Sequence, residues 1–163
     1  MTCVGNMASA KDSSFLERKN VGFILSLTSD PTEDESVEGV EYKAIPMEDD
    51  EDEQLEPHLD GCFQFIDKAN PDKGSPKNKT QKKQEIKSRA VLVHSYFGMS
   101  RSAAVVLAYL MKEKGRTLRQ AYDHLKQCHS ATNPNDNFIV QLLRIEQELH
   151  DGKMTMTLKD FYH

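Results

Sequence analysis

The run Val91-Leu92-Val93-His94-Ser95-Tyr96-Phe97-Gly98-Met99-Ser100-Arg101-Ser102 decides the fold of this chain. Residues 90–93 form a short continuous apolar stretch, the pattern of a central strand buried on both faces. In residues 102–113, Ala104, Val105, Leu107, Ala108, Leu110 and Met111 are apolar almost all round a helical wheel. Gly115 stops the pattern, so a long buried helix is predicted. Between strand and helix lies a tight loop with one glycine, Gly98. A loop that feeds a helix N-terminus turns successive backbone N–H groups inward, where the positive end of the helix dipole adds to them and makes an anion nest. Arg101 supplies a planar fork that holds two phosphate oxygens at once, a geometry lysine lacks. No Gly-Lys-Ser/Thr follows the loop, so it is not the nucleotide-binding kind.

Outward from this core the pattern alternates strands with helices. Residues 12–18 have helical composition with Asp12 as cap, and 21–27 read as a buried strand. A loop is expected at 28–38. Residues 40–45 alternate apolar with polar as a second strand, stopped by Pro46, and an acidic run covers 48–53. Leu55, Leu59, Cys62, Phe63 and Ile66 recur at helical spacing, so 56–69 is expected to be an amphipathic helix with Pro57 in its first turn. Residues 70–88 are rich in lysine, proline and glutamine, with hardly an apolar side chain to repay ordering, and are expected to be a mobile basic insertion. Their lysines read either as a docking strip or as a solvated loop. Thr117 is placed to cap a helix over 118–128, Asn133-Pro134-Asn135 makes a turn, and a last helix carries Phe138, Ile139, Leu142, Leu143, Ile145 and Leu149. The order implies one α/β domain over residues 1–150, a central mostly parallel twisted sheet flanked by helices. Residues 151–163 follow as a C-terminal tail, either partner-binding or frayed.

The chain has 163 residues, 37% of them hydrophobic, enough for one sizeable core. A net charge of -5 argues against nucleic acid, which calls for a basic footprint. No stretch approaches the roughly 18 apolar residues of a membrane span. Cys3, Cys62 and Cys128 lack metal or disulfide spacing. Cys62 and Cys128 lie on apolar helix faces and are expected to be core thiols. The expectation is an intracellular protein, cytoplasmic or nuclear, without membrane or nucleic-acid partner and monomeric.

The segment from His94 to Arg101 resembles the His-Cys-x5-Arg loop of the dual-specificity protein phosphatases, small atypical type, within the cysteine-dependent tyrosine phosphatase superfamily, with Ser95 where the nucleophilic cysteine stands. The resemblance implies a metal-free and cofactor-free enzyme acting on phosphorylated protein, on phosphotyrosine and phosphoserine or phosphothreonine. It implies that Ser95, Tyr96, Phe97, Gly98, Met99, Ser100 and Arg101 bind phosphate, or sulfate in its place. Ser100, next to Arg101, matches the family hydroxyl that helps the sulfur leave. Ile45-Pro46-Met47-Glu48-Asp49-Asp50 is similar to the family's acid loop, which gives Asp49 the general-acid role, with Asp50 and Asp52 as alternatives one register away. Asn135 matches an asparagine that braces the phosphate loop, His94 and Ser102 support it, and Asn6 falls in a family-like Gly-Asn-x-x-x-Ala segment.

Two positions depart from the pattern. A serine hydroxyl has almost no anionic form near neutrality, so attack at phosphorus should slow by orders of magnitude and the chain should bind phosphate while barely turning it over. Ser95 as a recent or engineered loss, and Ser95 as the mark of a natural pseudophosphatase that binds phosphoprotein, stand as alternatives. Phe97 is bulky where the family often carries a small residue.

Overall fold

The computed structural model describes residues 1–30, 37–69 and 89–162; the expected basic insertion at 70–88 lies outside them, as does most of the loop expected at 28–38. In chain order the elements are β1 (Thr2–Gly5), α1 (Met7–Lys11), α2 (Ser13–Arg18), β2 (Val21–Ser26), β3 (Glu41–Ala44), α3 (Glu56–Lys68), β4 (Ala90–His94), α4 (Arg101–Lys114), α5 (Leu118–Cys128), α6 (Asp136–Leu149) and a 3-10 turn (Leu158–Phe161). The four strands run parallel in the order β1-β4-β2-β3, which puts β4, the strand that leads into the loop at 95–100, inside the sheet.

All five residues of β4 are buried, as its unbroken apolar run requires. The period-2 alternation divides them between two cores: Val91 and Val93 pack with α3, α4, α5 and α6, whereas Ala90 and Leu92 pack with Ala10 and Leu16 of α1 and α2. An irregularity in β2 between Val21 and Phe23 keeps Val21 on the same side as Ile24. Helix α4 is buried from Arg101 through Tyr109 and closes at Gly115, whose left-handed backbone (φ 62°) sends its N–H to Leu110 and Met111 carbonyls.

The capping residues read from sequence take their places. Asp12 Oδ1 accepts the Phe15 N–H, and Thr117 and Gln120 form a reciprocal capping box on α5. Strand β1 and helix α1 are additions to the elements read from sequence. Asn6 caps α1 through the Ser9 N–H at 2.9 Å.

Two expectations are corrected. Cys128 is exposed at the last position of α5, while Cys62 is fully buried, where desolvation pushes its thiol up to about 12. The C-terminal segment, expected as either a partner-binding or a frayed tail, is docked on the chain's own core: Met156 and Phe161 enter it, and the Phe161 ring meets Tyr122 edge to face at 4.7 Å. Two apolar anchors, Met156 and Phe161, give this short segment buried area that holds it in place. Among the described residues no helix is long and apolar enough to cross a membrane.

Candidate functional site

Residues 95–100 link β4 to α4 at the C-terminal edge of the parallel sheet. Three carbonyls of this loop are taken up from outside: Tyr96 O by the Met7 N–H at 3.2 Å, Gly98 O by His129 Nε2 at 2.8 Å, and Met99 O by the Asn133 N–H at 2.9 Å. In a planar trans peptide the N–H points opposite to the carbonyl. Anchoring these three carbonyls therefore aims the N–H groups of Phe97, Met99 and Ser100 to the other side, and among the described residues the N–H groups of Tyr96 through Ser100 meet no protein acceptor. Gly98 makes the bend possible. Its φ is 72°, and a Cβ there would lie 2.5 Å from the Gly5 carbonyl oxygen.

Helix α4 continues the donor set. Asn6, Asp12, Thr117 and Asn135 cap α1, α2, α5 and α6 with their side chains, whereas Leu55 of α3 and Ser100 of α4 give no side-chain cap. The first-turn N–H groups of α4 therefore have no side-chain acceptor at the cap position.

Arg101, the first residue of α4, is 7% exposed. Its Nη1 donates to Met47 O at 3.0 Å and to Ser29 Oγ at 3.4 Å. Its Nε is buried, makes no hydrogen bond among the described residues, and sits 3.7 Å from Asp49 Oδ2. The guanidinium borders a cleft of about 240 Å³ shared with Met7, Thr28, Ser29, Asp30 and Tyr96.

Asp49 stands over this cation. Its Oδ1 accepts from Ser100 Oγ at 2.6 Å and from Asn135 Nδ2 at 2.7 Å, and its Oδ2 faces Arg101 Nε at 3.7 Å. Asp50 Oδ1 accepts the N–H groups of Asp52 and Glu53 and closes its own turn, and Asp52 is exposed. Asn137 and Gln141 fasten that turn to α6 through the Glu53 carbonyl. Partial burial opposes ionisation of Glu53, but the Glu48 N–H, His58 and the Gln54 N–H outweigh it and hold its carboxyl below the usual range.

The remaining expected residues fall around the loop, with one reassignment. Ser95 is 2% exposed and its Oγ lies 3.1 Å from Ser102 Oγ. Ser100, expected beside the nucleophile position, points instead to Asp49 and accepts the Asn135 N–H at 3.0 Å. The hydroxyl next to position 95 is that of Ser102, because the first helical turn carries residues 100 and 102 to different sides. His94 is fully buried beneath the loop. Asn135 joins three roles, capping α6 at Phe138, holding Asp49 and meeting Ser100. Tyr96 and Phe97 project outward, 52% and 69% exposed, with rings packed edge to face at 4.8 Å, so their share in the loop comes through the backbone. Sequence reasoning missed Ser29, the Met47 carbonyl and His129, all brought in from segments far from the motif.

The catalytic-domain model of the dual specificity phosphatases matches residues 3–148. The chain is 36% identical over 146 residues to dual specificity protein phosphatase 1 of Arabidopsis thaliana, an alignment that covers 90% of this chain and 66% of that protein. The crystal structure of human DUSP28 superposes with a TM-score of 0.74 at 28% identity, covering 92% of this chain and 94% of that one. A mouse putative dual specificity phosphatase complexed with zinc tungstate gives 0.72 at 29% identity, covering 90% and 82%. By the family match and by the shared fold, this chain belongs to the dual specificity phosphatase catalytic-domain family.

Proposed function

We propose that this domain binds phosphorylated tyrosine, serine or threonine side chains of proteins through the loop at 94–101, and that with Ser95 it holds them without efficient turnover. The observation that carries the reading is the set of backbone N–H groups from Tyr96 to Ser100 without a protein acceptor, next to a buried Arg101 whose Nε is unbonded among the described residues. A tetrahedral dianion completes both.

In the form with cysteine at position 95, the thiolate formed at this helix N-terminus attacks phosphorus in line with the leaving oxygen. The P–O bond to the substrate breaks, and its oxygen takes the proton from Asp49. Charge on the equatorial oxygens is met by Arg101 and the loop amides. Water then attacks the phosphocysteine and yields phosphate, with Ser102 Oγ, at 3.1 Å from the position-95 atom, able to donate to the departing sulfur. Serine breaks the first step only, because its proton is far harder to remove.

A second reading, a standing phosphoprotein-binding module, is favoured by one observation: the Ser95 hydroxyl is buried and paired with Ser102 as a settled polar contact. Turnover of p-nitrophenyl phosphate by Ser95→Cys separates the two. Recovery by about a thousandfold or more over the serine chain, the scale of a lost nucleophile, supports an enzyme; continued inertness with tungstate still bound supports the binder.

A further inference from the structure

Two of the three carbonyl anchors behind the loop are backbone N–H groups, from Met7 and Asn133. The third is a side chain. His129, at the C-cap of α5, places Nε2 2.8 Å from Gly98 O. A carbonyl only accepts, so Nε2 carries the proton. We infer that His129 is a positioning residue for oxyanion binding: by fixing the Gly98 carbonyl it aims the Met99 N–H at the anion.

Three features make this contact matter more than an ordinary surface hydrogen bond. The Gly98–Met99 peptide is one rigid plane, so holding its oxygen sets the direction of its N–H. Gly98 has φ 72° and no side chain, so the Cα–C bond on its C-terminal side, which turns the Gly98–Met99 plane, is little restricted and the plane needs an external hold. Gly98 also lies against the Gly5–Asn6 backbone, which limits translation without fixing the rotation of the peptide plane. His129 supplies that rotation stop, from a residue 31 positions away in sequence.

The inference rests on the phosphate-loop reading, and the test separates them. Tungstate affinity is measured by calorimetric titration for the unaltered chain, His129→Leu and His129→Gln, with thermal midpoints alongside. Glutamine carries an amide N–H at nearly the reach of Nε2; leucine fills the space without a donor. Losing one aimed amide is expected to weaken tungstate about tenfold in His129→Leu, with recovery to within about twofold in His129→Gln. Should the leucine variant fail to fold, His129→Asn, polar but too short for the carbonyl, replaces it with the same tenfold expectation. In the Ser95→Cys background the donorless variant is expected to lower kcat/KM for p-nitrophenyl phosphate by a similar factor, with recovery in His129→Gln. Unchanged tungstate affinity in the donorless variant, or equal loss in the glutamine variant, overturns the inference while leaving the phosphate loop standing. Absence of tungstate binding to the unaltered chain overturns both.

Discussion

Glu146 and Arg101 are both buried charges, and the protein treats them in opposite ways. Glu146, completely inaccessible, is closed in on every side: Oε1 accepts the Leu118 N–H at 2.7 Å and Thr155 Oγ1 at 2.6 Å, and Oε2 accepts the Thr155 N–H at 2.9 Å. It sits at the positive end of α5, where an anion is stabilised. One carboxylate thereby ties α5, α6 and the C-terminal segment together. Arg101 has a cleft on one side, two acceptors for Nη1, and an Nε with no bond among the described residues. A buried charge with all its partners is scaffold. Arg101, held by Met47, Ser29 and, at 3.7 Å, Asp49 Oδ2, keeps an Nε without a hydrogen bond among the described residues, and that donor is suited to an incoming anion.

The contrast can be broken by exchanging the two roles. Glu146→Ala leaves the buried Leu118 N–H and the part-buried Thr155 N–H without an acceptor, and should cost about 3 kcal/mol, a fall in thermal midpoint of about 6 to 12 °C for a chain this size. Tungstate affinity of the remaining folded protein should not change. Arg101→Met should do the reverse, weakening tungstate at least about 100-fold while stability shifts by no more than about 1 kcal/mol, because methionine keeps the apolar stem and a long ion pair contributes little net once its desolvation is counted. Calorimetric titration and thermal melts of both variants decide the matter. A large melt shift in Arg101→Met without loss of affinity would show that the arginine is scaffold after all.

A smaller effect sharpens the scaffold side. Asp160 accepts from the Thr157 hydroxyl and N–H and from Arg119, which together push its carboxyl down to about 2, against about 3.9 for a free aspartate. A depressed folded pKa contributes stability that is present above the unfolded value and lost as pH falls through the folded one. The contribution to docking of the 3-10 turn should therefore hold above about pH 4 and fade toward pH 2. Amide signals of residues 157–161 followed by NMR titration should report it, and Asp160→Asn should abolish the titration. Release of the turn at neutral pH in the unaltered chain would contradict the assignment.

The same contrast explains what the sequence disclosed. The anion loop is contiguous, and its strand, glycine, arginine and helix are local features, so motif and fold class could be read together. The caps at Asp12 and Thr117 were legible for the same reason, each acting within three residues. Strand β1 was not, since four residues of mixed polarity become a strand only by pairing with Val91 through His94. The acidic run gave three candidate acids, and the contact that Asp49 makes with Asn135, 86 residues away, has no signal within the run. Ser100 and Ser102 are neighbours in sequence that part company once α4 begins. Cys128 was misread because an apolar periodicity does not tell the last turn of a helix whether anything covers it; here it borders an open groove beside Cys3.

The central claim is that the loop from His94 to Arg101 folds round a tetrahedral oxyanion. Its most direct test is a crystal structure of the unaltered Ser95 chain soaked in tungstate. The account predicts the anion within hydrogen-bond distance of the Phe97, Met99 and Ser100 N–H groups, with the Arg101 fork on two of its oxygens. Tungstate absent from the loop at saturating concentration, with those amides turned outward and the guanidinium in solvent, would contradict it.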